Sequence, residues 1–512
     1  MKDKILRLIL GDQLNRNHSW LNEVKDNVTY VFMEVRTETD YVWHHIQKVV
    51  GFFTAMRSFA EELKSEKHNV IYIKLDDENN LQSFERNIDS LIQLYNFSHF
   101  EYQLPDEYRV DQMLKKFIGS ISISHQIYDS EHFFGAREEL GDFFKGKKTF
   151  LMESFYRHMR KKHHVLMDGD EPLTGQWNYD HDNRKKLPSN HIPSSPLVFE
   201  NDVSEIANLI QKSDIKTIGT IDAKNFVWPV SRKQALELLD FFVRECLPLF
   251  GTYQDAMTPH EWSLYHSRLS FTMNTKMLSP KEVVKKAVEE WEKRKEEIAF
   301  HQLEGFVRQI IGWREYMRGM YWLKMPEFET SNYLENKNKL PDWYWNGKTK
   351  MNCLKYAIGQ SLDMAYAHHI QRLMITGNFA LLAGVHPDEV DQWYLGIYID
   401  ALQWVEITNT RGMSQFADGG MIGTKPYVSS AAYIDKMSHY CKPCYYDAGK
   451  KTGNKACPFN SLYWNFYDQH ENKLGKNPRI GMMYNVWHKM QPELKTQILA
   501  QAEYYLNHIN EL

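Results

Sequence analysis

The sequence predicts a chain of two structural halves. An α/β N-terminal domain with a parallel, Rossmann-like sheet is joined by a long connector to an all-α C-terminal domain. Three observations carry this expectation. Up to about residue 130, runs rich in β-branched and aromatic residues alternate with helical periodicity. From about residue 230 onward the periodicity is helical, with no convincing strand run. Between them the chain shows little periodicity and reads as an extended connector, so the expected boundaries are 1–130, 131–230 and 231–512.

In the first part, KILRLIL, NVTYVFMEV, NVIYIKL and HFEYQL are the strand candidates. Val42, Ile46, Val49, Val50, Phe53, Ala60 and Leu63 recur at helical spacing between the second and third. Repeated βα alternation implies a parallel sheet covered on both faces. Such sheets bind ligands beyond the carboxyl ends of their strands. Here those ends are Gly11-Asp12-Gln13-Leu14, Glu34-Val35-Arg36 and Pro105-Asp106-Glu107-Tyr108. No GxGxxG occurs, so an ordinary dinucleotide site is not expected; these ends read as polar caps or as a binding rim.

The connector is basic. Lys145, Lys147, Lys148, Arg157, Arg160, Lys161 and Lys162 are followed by Arg184, Lys185 and Lys186, with Phe155, Tyr156, Trp177 and Tyr179 interleaved. Such a run is either a solvated face or a source of phosphate contacts and stacking groups. The formal net charge is −4, so any nucleic-acid contact must come from a local surface.

KQALELLDFFVRECL, PKEVVKKAVEEWEKRKEEIA and EGFVRQIIGWREYMRGMYWL are the clearest helices of the last part. Its centre is Tyr366 to Glu406, where Tyr366, Ile370, Leu373, Met374 and Leu381 form one apolar stripe. His369 and Arg372 share a side of that helix. A second helical segment follows Pro387 and carries Trp393, Tyr394, Asp400 and Glu406. A buried Arg needs a carboxylate or a polar ligand. Asp400 is the natural partner of Arg372, as a structural ion pair or as one side of a ligand seat.

Of five cysteines, Cys441 and Cys444 form a CxxC, Cys457 follows in ACPFN, and Cys353 lies upstream in MNC. Four thiolates suit zinc or a 4Fe–4S cluster; Cys246, among apolar residues, reads as core. Aromatics make up 14% of the chain, with 14 Trp and 29 Tyr. They suit core packing, stacking on a planar ligand, or electron hopping. No apolar run is long enough to span a bilayer, and the start lacks the design of a cleavable signal, so a cytoplasmic protein without a membrane partner is expected.

From Leu8 to beyond Trp464 the chain resembles the photolyase/cryptochrome family. The spacing of Arg372, Asp400 and Glu406 is similar to the family's flavin-facing Arg, Asp and N5-facing residue. Glu406 departs from the Asn usual in photolyases and resembles the iron–sulfur bacterial branch, whose characterised members repair (6-4) photoproducts. His266-Ser267-Arg268-Leu269-Ser270 resembles the loop that grips the flavin diphosphate, which implies FAD held by Ser267, Leu269 and Ser270. Short hydroxyls and helix N-terminal amides suit phosphate.

The resemblance implies further roles. Gln309 falls where photolyases of cyclobutane dimers carry a lesion-contacting Glu. His369, beside His368, matches a functional His of (6-4) enzymes, and Phe306, Gln309, Trp313 and Arg314 share a helix between flavin and lesion. Tyr427 and Met413 lie in loops that approach the lesion. Asp180 and Asp255 are acidic positions that could help hold Mg2+. Cys353, Cys441, Cys444 and Cys457 would hold a 4Fe–4S cluster. Trp345, Trp393 and Tyr394 would carry electrons between flavin and surface. Asp12, Gln13, Glu34 and Tyr41 would seat a 6,7-dimethyl-8-ribityllumazine antenna. The implied protein is a monomeric DNA photolyase that reverts (6-4) photoproducts in UV-damaged DNA by electron transfer from excited reduced FAD, with His369 as proton donor. The alternatives are a cryptochrome photoreceptor signalling through a partner and a zinc-containing DNA-binding module without a cofactor.

Overall fold

The computed structural model describes residues 3–512. Five strands form one parallel sheet: β1 (Ile5–Leu8), β2 (Val28–Met33), β3 (Asn69–Ile73), β4 (His99–Gln103) and β5 (Ser124–Tyr128). Their spatial order is β3-β2-β1-β4-β5, with Ile5 level with both Val28 and His99. The order reverses between β1 and β4, which opens a crevice at their carboxyl ends. β5 escaped the sequence reading because SHQIY is polar and lies almost wholly exposed on the sheet edge.

Alternation along the strands divides the apolar side chains between the two faces. Leu6, Leu8, Val31 and Met33 meet helices α2 (Phe84–Tyr95) and α3 (Tyr108–Ile118) through Ile88, Leu91, Val110 and Leu114. Tyr30 and Phe32 point the other way, onto Val50, Phe53, Phe59 and Leu63 of α1 (Ile46–Ser65). That second core does not stop at the sheet: it runs on through Trp228, Phe271, Phe306 and Trp404 of the later chain. α1 begins at Ile46 rather than Val42. His45 caps it by accepting from the Gln47 N–H, and His44 and His45 pair as a short strand with Thr217 and Ile218.

The connector is not extended throughout. Within it, α4 (Met152–His163) buries Met152, Phe155, Tyr156 and Met159, and α5 (Ser204–Lys212) buries Ile206 and Ile210. Both stripes are short, and that of α4 sits among many charges, which masks its period. Beyond residue 230 every long element is helical. One element, α6, runs from Phe300–Val307 through a π-turn at Arg308–Arg314 into Glu315–Lys324. Further on come α7 (Asn352–Met364), α8 (Pro387–Ile397) and α9 (Gln403–Ile407). A third core of Trp343, Tyr344, Leu354, Phe379, Trp393, Phe459 and Trp487 surrounds this last region. Among the described residues no helix is long and apolar enough to cross a membrane.

Candidate functional site

Arg372 opens a π-turn, Arg372–Gly377, and a second one, Thr408–Ser414, follows α9. Widened turns of this kind concentrate at functional sites. Gly377 is required where the two cross, since a Cβ there would overlap the Ser414 hydroxyl. The Arg372 Nη2 donates to both Asp400 carboxylate oxygens at 3.0 and 3.1 Å, and its Nε donates to the Ala367 carbonyl at 2.7 Å. The Tyr398 ring lies 3.7 Å from the guanidinium carbon, and Glu406 Oε2 is 3.8 Å from Nη1. Ser270 Oγ donates to Asp400 at 2.5 Å, and the Asn274 amide donates to the Asp400 carbonyl at 2.6 Å. One buried cation therefore faces two carboxylates. Burial raises Glu406 to about 7, with Arg372 opposing and Asp400 adding to the rise.

Beside this pair, the His368 ring stacks on His266, with centroids 4.4 Å apart and an interplanar angle of 11°. Both ring nitrogens of His368, Nε2 of His266 and Nε of Arg268 are buried without a partner. Each such atom costs on the order of 1–3 kcal/mol, so a cluster of them marks a place where a ligand's polar atoms would complete the bonding. His369 differs from its neighbour in being solvent-exposed. The surrounding protein, then the charges of Arg372 and Arg184, still push it down to about 4, as expected for a ring in a recess. Gln309, in the π-turn of α6, is half-buried, and its amide has no hydrogen-bond partner among the described residues.

Arg184 brings the connector to the same mouth. Its N–H donates to the Gly251 carbonyl at 3.2 Å, and that of Lys185 donates to Thr252 at 2.7 Å. Gly251 permits this, since a Cβ would overlap the Asn183 amide. The Arg184 guanidinium donates to Asp180 at 3.1 Å and lies 3.8 Å from Asp255. Tyr427, half-buried, sits within the field of the same Arg. Asp180 and Asp255 thus converge, but on a guanidinium that supplies the charge expected of Mg2+. Met413 is not in a loop: it is buried within the π-turn after α9. Of the basic run, Arg160 is fully buried and donates to the Val165 and Leu166 carbonyls, so it is structural.

At the sheet's crevice lies a cavity of about 120 Å³, lined by Gly11, Asp12, Glu38, Tyr41, His44, Lys48, Phe52, Glu107 and Leu402, among others. Both ring nitrogens of His44 are buried without a partner. Asp12 and Tyr41 reach this cavity; Gln13 and Glu34 do not line it. Gln13 accepts from the Leu10 N–H and donates to the Gln103 carbonyl, stapling β1 to β4. Glu34 is consumed by Arg57 at 2.8 and 3.0 Å, the Tyr72 hydroxyl at 2.7 Å and the Leu75 N–H at 2.9 Å. The cavity wall continues into the first site: Leu402 lines it, the next N–H donates to Glu107 at 3.2 Å, and Glu406 follows on α9.

Cys353, Cys441, Cys444 and Cys457 line one small chamber with Met351, Ile434, Tyr440 and Phe459. Among the described residues, no three His, Cys, Asp or Glu side chains are gathered for a single ion. Cys246 is core. Trp393 and Tyr394 are buried, with ring centroids 5.2 Å apart, and each touches Tyr398 at 5.9 and 5.6 Å. Trp345 lies at the surface, and its ring partner is Trp43.

A (6-4) photolyase of Agrobacterium fabrum is 41% identical to this chain over 515 residues, covering 99% of each. The chain belongs to the photolyase/cryptochrome family. The family model for deoxyribodipyrimidine photo-lyase-related proteins matches residues 7–226. A bacterial class III photolyase from Agrobacterium tumefaciens superposes with a TM-score of 0.57 at 14% identity, covering 97% of this chain and 92% of its own. A Synechocystis cryptochrome gives a TM-score of 0.55 at 13% identity, with 81% and 83% covered. At those identities the two structures speak for the fold alone.

A photolyase/cryptochrome chain implies a flavin, and the residues present fit one. Arg372, Asp400 and the unpartnered ring nitrogens of His266 and His368 form a polar seat, with Ser267, Leu269 and Ser270 at the N-terminal end of the following short helix. Sequence reasoning on this photolyase-family chain missed Tyr398, His44, Lys48 and Arg184 as members of their sites. Nothing local marks the first three, because each acts through a contact made across the fold. Arg184 was visible only as one charge in a basic run.

Proposed function

We propose that the protein is a light-dependent DNA photolyase that reverts (6-4) dipyrimidine photoproducts. What carries this reading is the near full-length identity to a (6-4) photolyase together with an exposed His369 at the mouth of a buried Arg372–Asp400 seat. Arg372, Asp400, Ser267, Leu269, Ser270 and Glu406 would hold FAD. When bound and reduced, FAD supplies, on absorbing blue light, the electron that splits the lesion and takes it back afterwards.

The chain's own residues do the rest. UV-damaged DNA would bind across the connector, with Arg184 and its neighbours meeting phosphate. The damaged bases would swing out of the stack, at a cost of a few kcal/mol, toward His369 and Arg184. The surrounding protein and Arg372 lower the proton affinity of His369 in the free protein, and a bound phosphate would raise it again by adding negative charge. His369 then holds a proton at a ring nitrogen and gives it to the lesion's migrating hydroxyl. His368 stacks on His266, and Tyr427 shares the field of Arg184 with His369. The four cysteines would hold a 4Fe–4S cluster, since their thiols share one small apolar chamber. The sheet cavity would hold the ribityl-lumazine antenna, with Asp12, Tyr41 and the unpartnered His44 as its polar contacts.

The test is blue-light repair of an oligonucleotide carrying one (6-4) lesion. Restored thymines with the parent protein, and none with a flavin-retaining His369→Ala variant, are expected. Flavin absorption without repair would replace this reading with that of a photoreceptor.

A further inference from the structure

We propose that Trp43 is the solvent-end electron relay of this chain, one ring beyond Trp345 on an aromatic route that begins at Arg372. The inference rests on the flavin reading above and carries its exit into the N-terminal half.

Trp43 precedes α1 and is 54% exposed, while Trp345 is 36% exposed; their ring centroids are 5.8 Å apart at 69°. Inward, the route is continuous. Tyr398 lies on the Arg372 guanidinium and touches both Trp393 and Tyr394. The Trp393 indole N–H donates to the Tyr344 carbonyl at 3.0 Å, and that carbonyl is peptide-bonded to Trp345. Every link is therefore a ring contact or one hydrogen bond followed by one peptide.

The position of Trp43 is also fixed. A Cβ on Gly396 would overlap the Trp43 carbonyl oxygen, so a glycine on α8, the helix bearing Trp393 and Tyr394, is what lets this loop seat. Two residues on, the His45 ring meets the Leu362 carbonyl at 2.8 Å. Packing alone explains why two rings touch. What the geometry adds is that this exposed ring, its backbone held against Gly396, sits at the open end of such a route.

A photoexcited oxidised flavin held at the Arg372 seat would supply the one-electron acceptor; the inner rings Tyr394 and Trp393 then lose one electron, and the hole reaches Trp345. One electron then passes from the Trp43 indole to the Trp345 radical cation, which restores Trp345. The Trp43 indole N–H, which has no hydrogen-bond partner among the described residues, gives its proton to water and leaves a neutral radical. Return of the electron now requires a proton as well, so recombination slows. A dissolved thiol restores Trp43 with one electron and one proton.

The test uses flavin-loaded protein and four variants: Trp43→Phe, Gly396→Ala, Trp345→Phe and Trp393→Phe. Flash absorption reads the lifetime of the indole radical, and peptide mass spectrometry after illumination in air locates oxidised Trp. We expect Trp43→Phe and Gly396→Ala each to shorten the slowest radical decay severalfold, and oxidation in the parent protein to fall on Trp43. An unchanged decay in Trp43→Phe, with oxidation on Trp345, overturns the proposal while leaving the inner route standing. An unchanged radical yield in Trp393→Phe overturns the proposal together with the route beneath it.

Discussion

Glu406→Gln probes the electrostatics of the Arg372 seat before any ligand is added. Burial raises the folded-state value of Glu406 to about 7, against the pull of Arg372 3.8 Å away and with the push of Asp400. In the unfolded chain the same group ionises near the ordinary Glu value of about 4.3. Between the two values the folded protein holds a proton that the unfolded chain has lost. Stability therefore falls as pH rises through this window, and the loss is complete above pH 7. A gap of roughly 2.5 pH units, at about 1.4 kcal/mol each, sets the loss near 3 kcal/mol. Gln cannot ionise, so the variant escapes it. We expect flavin-free Glu406→Gln to match the parent within about 0.5 kcal/mol near pH 4, and to exceed it by about 1 kcal/mol at pH 5 and by up to about 3 kcal/mol at pH 8. Urea unfolding at these pH values measures the difference, and amide hydrogen exchange in α9 locates it. A stability difference that is the same at pH 5 and pH 8 would show that Glu406 is ionised throughout and that the charge balance around Arg372 has been misread.

Other outcomes follow from the same geometry. Asp400→Ala leaves the Arg372 cation buried without its main partner; a loss of about 3–5 kcal/mol is expected, together with loss of flavin colour on purification. Glu34→Gln removes the charge and turns one of the two oxygens shared by Arg57, Tyr72 and Leu75 into a donor; it should cost about 3 kcal/mol in urea unfolding and leave the fluorescence of the proposed antenna unmoved, whereas His44→Ala should weaken that fluorescence. Cys457→Ser should lower iron and acid-labile sulfide on elemental analysis and yield poorly folded protein. A variant that keeps full iron and full repair would refute the cluster assignment.

Much of the fold was legible because parallel strands buried on both faces read as apolar runs, as NVTYVFMEV does. The polar edge strand Ser124–Tyr128 shows the converse: a strand with one neighbour and no cover carries no such run. The pair Arg372 and Asp400 was legible because a buried guanidinium demands a counter-charge and few acids lie in the apolar stretch. The fate of Glu34 was not. At the end of β2 it looks like a rim residue, and only the arrival of Arg57 from α1 and Tyr72 from β3 turns it inward. The same holds for Asp180 and Asp255, whose convergence on Arg184 comes from a connector that folds back onto Gly251.

The wall shared by the sheet cavity and the Arg372 seat has an optical consequence. Leu402 faces one compartment and Glu406 the other, and four residues of helix span about 6 Å along the axis. α9 is clamped at its start by Glu107 and continues into a π-turn at its end. Any displacement of this helix carries both walls with it. Were chromophores to lodge on either side, as proposed above, their spacing would be a fixed length of the molecule, and a transfer of excitation that falls steeply with distance would run at one rate.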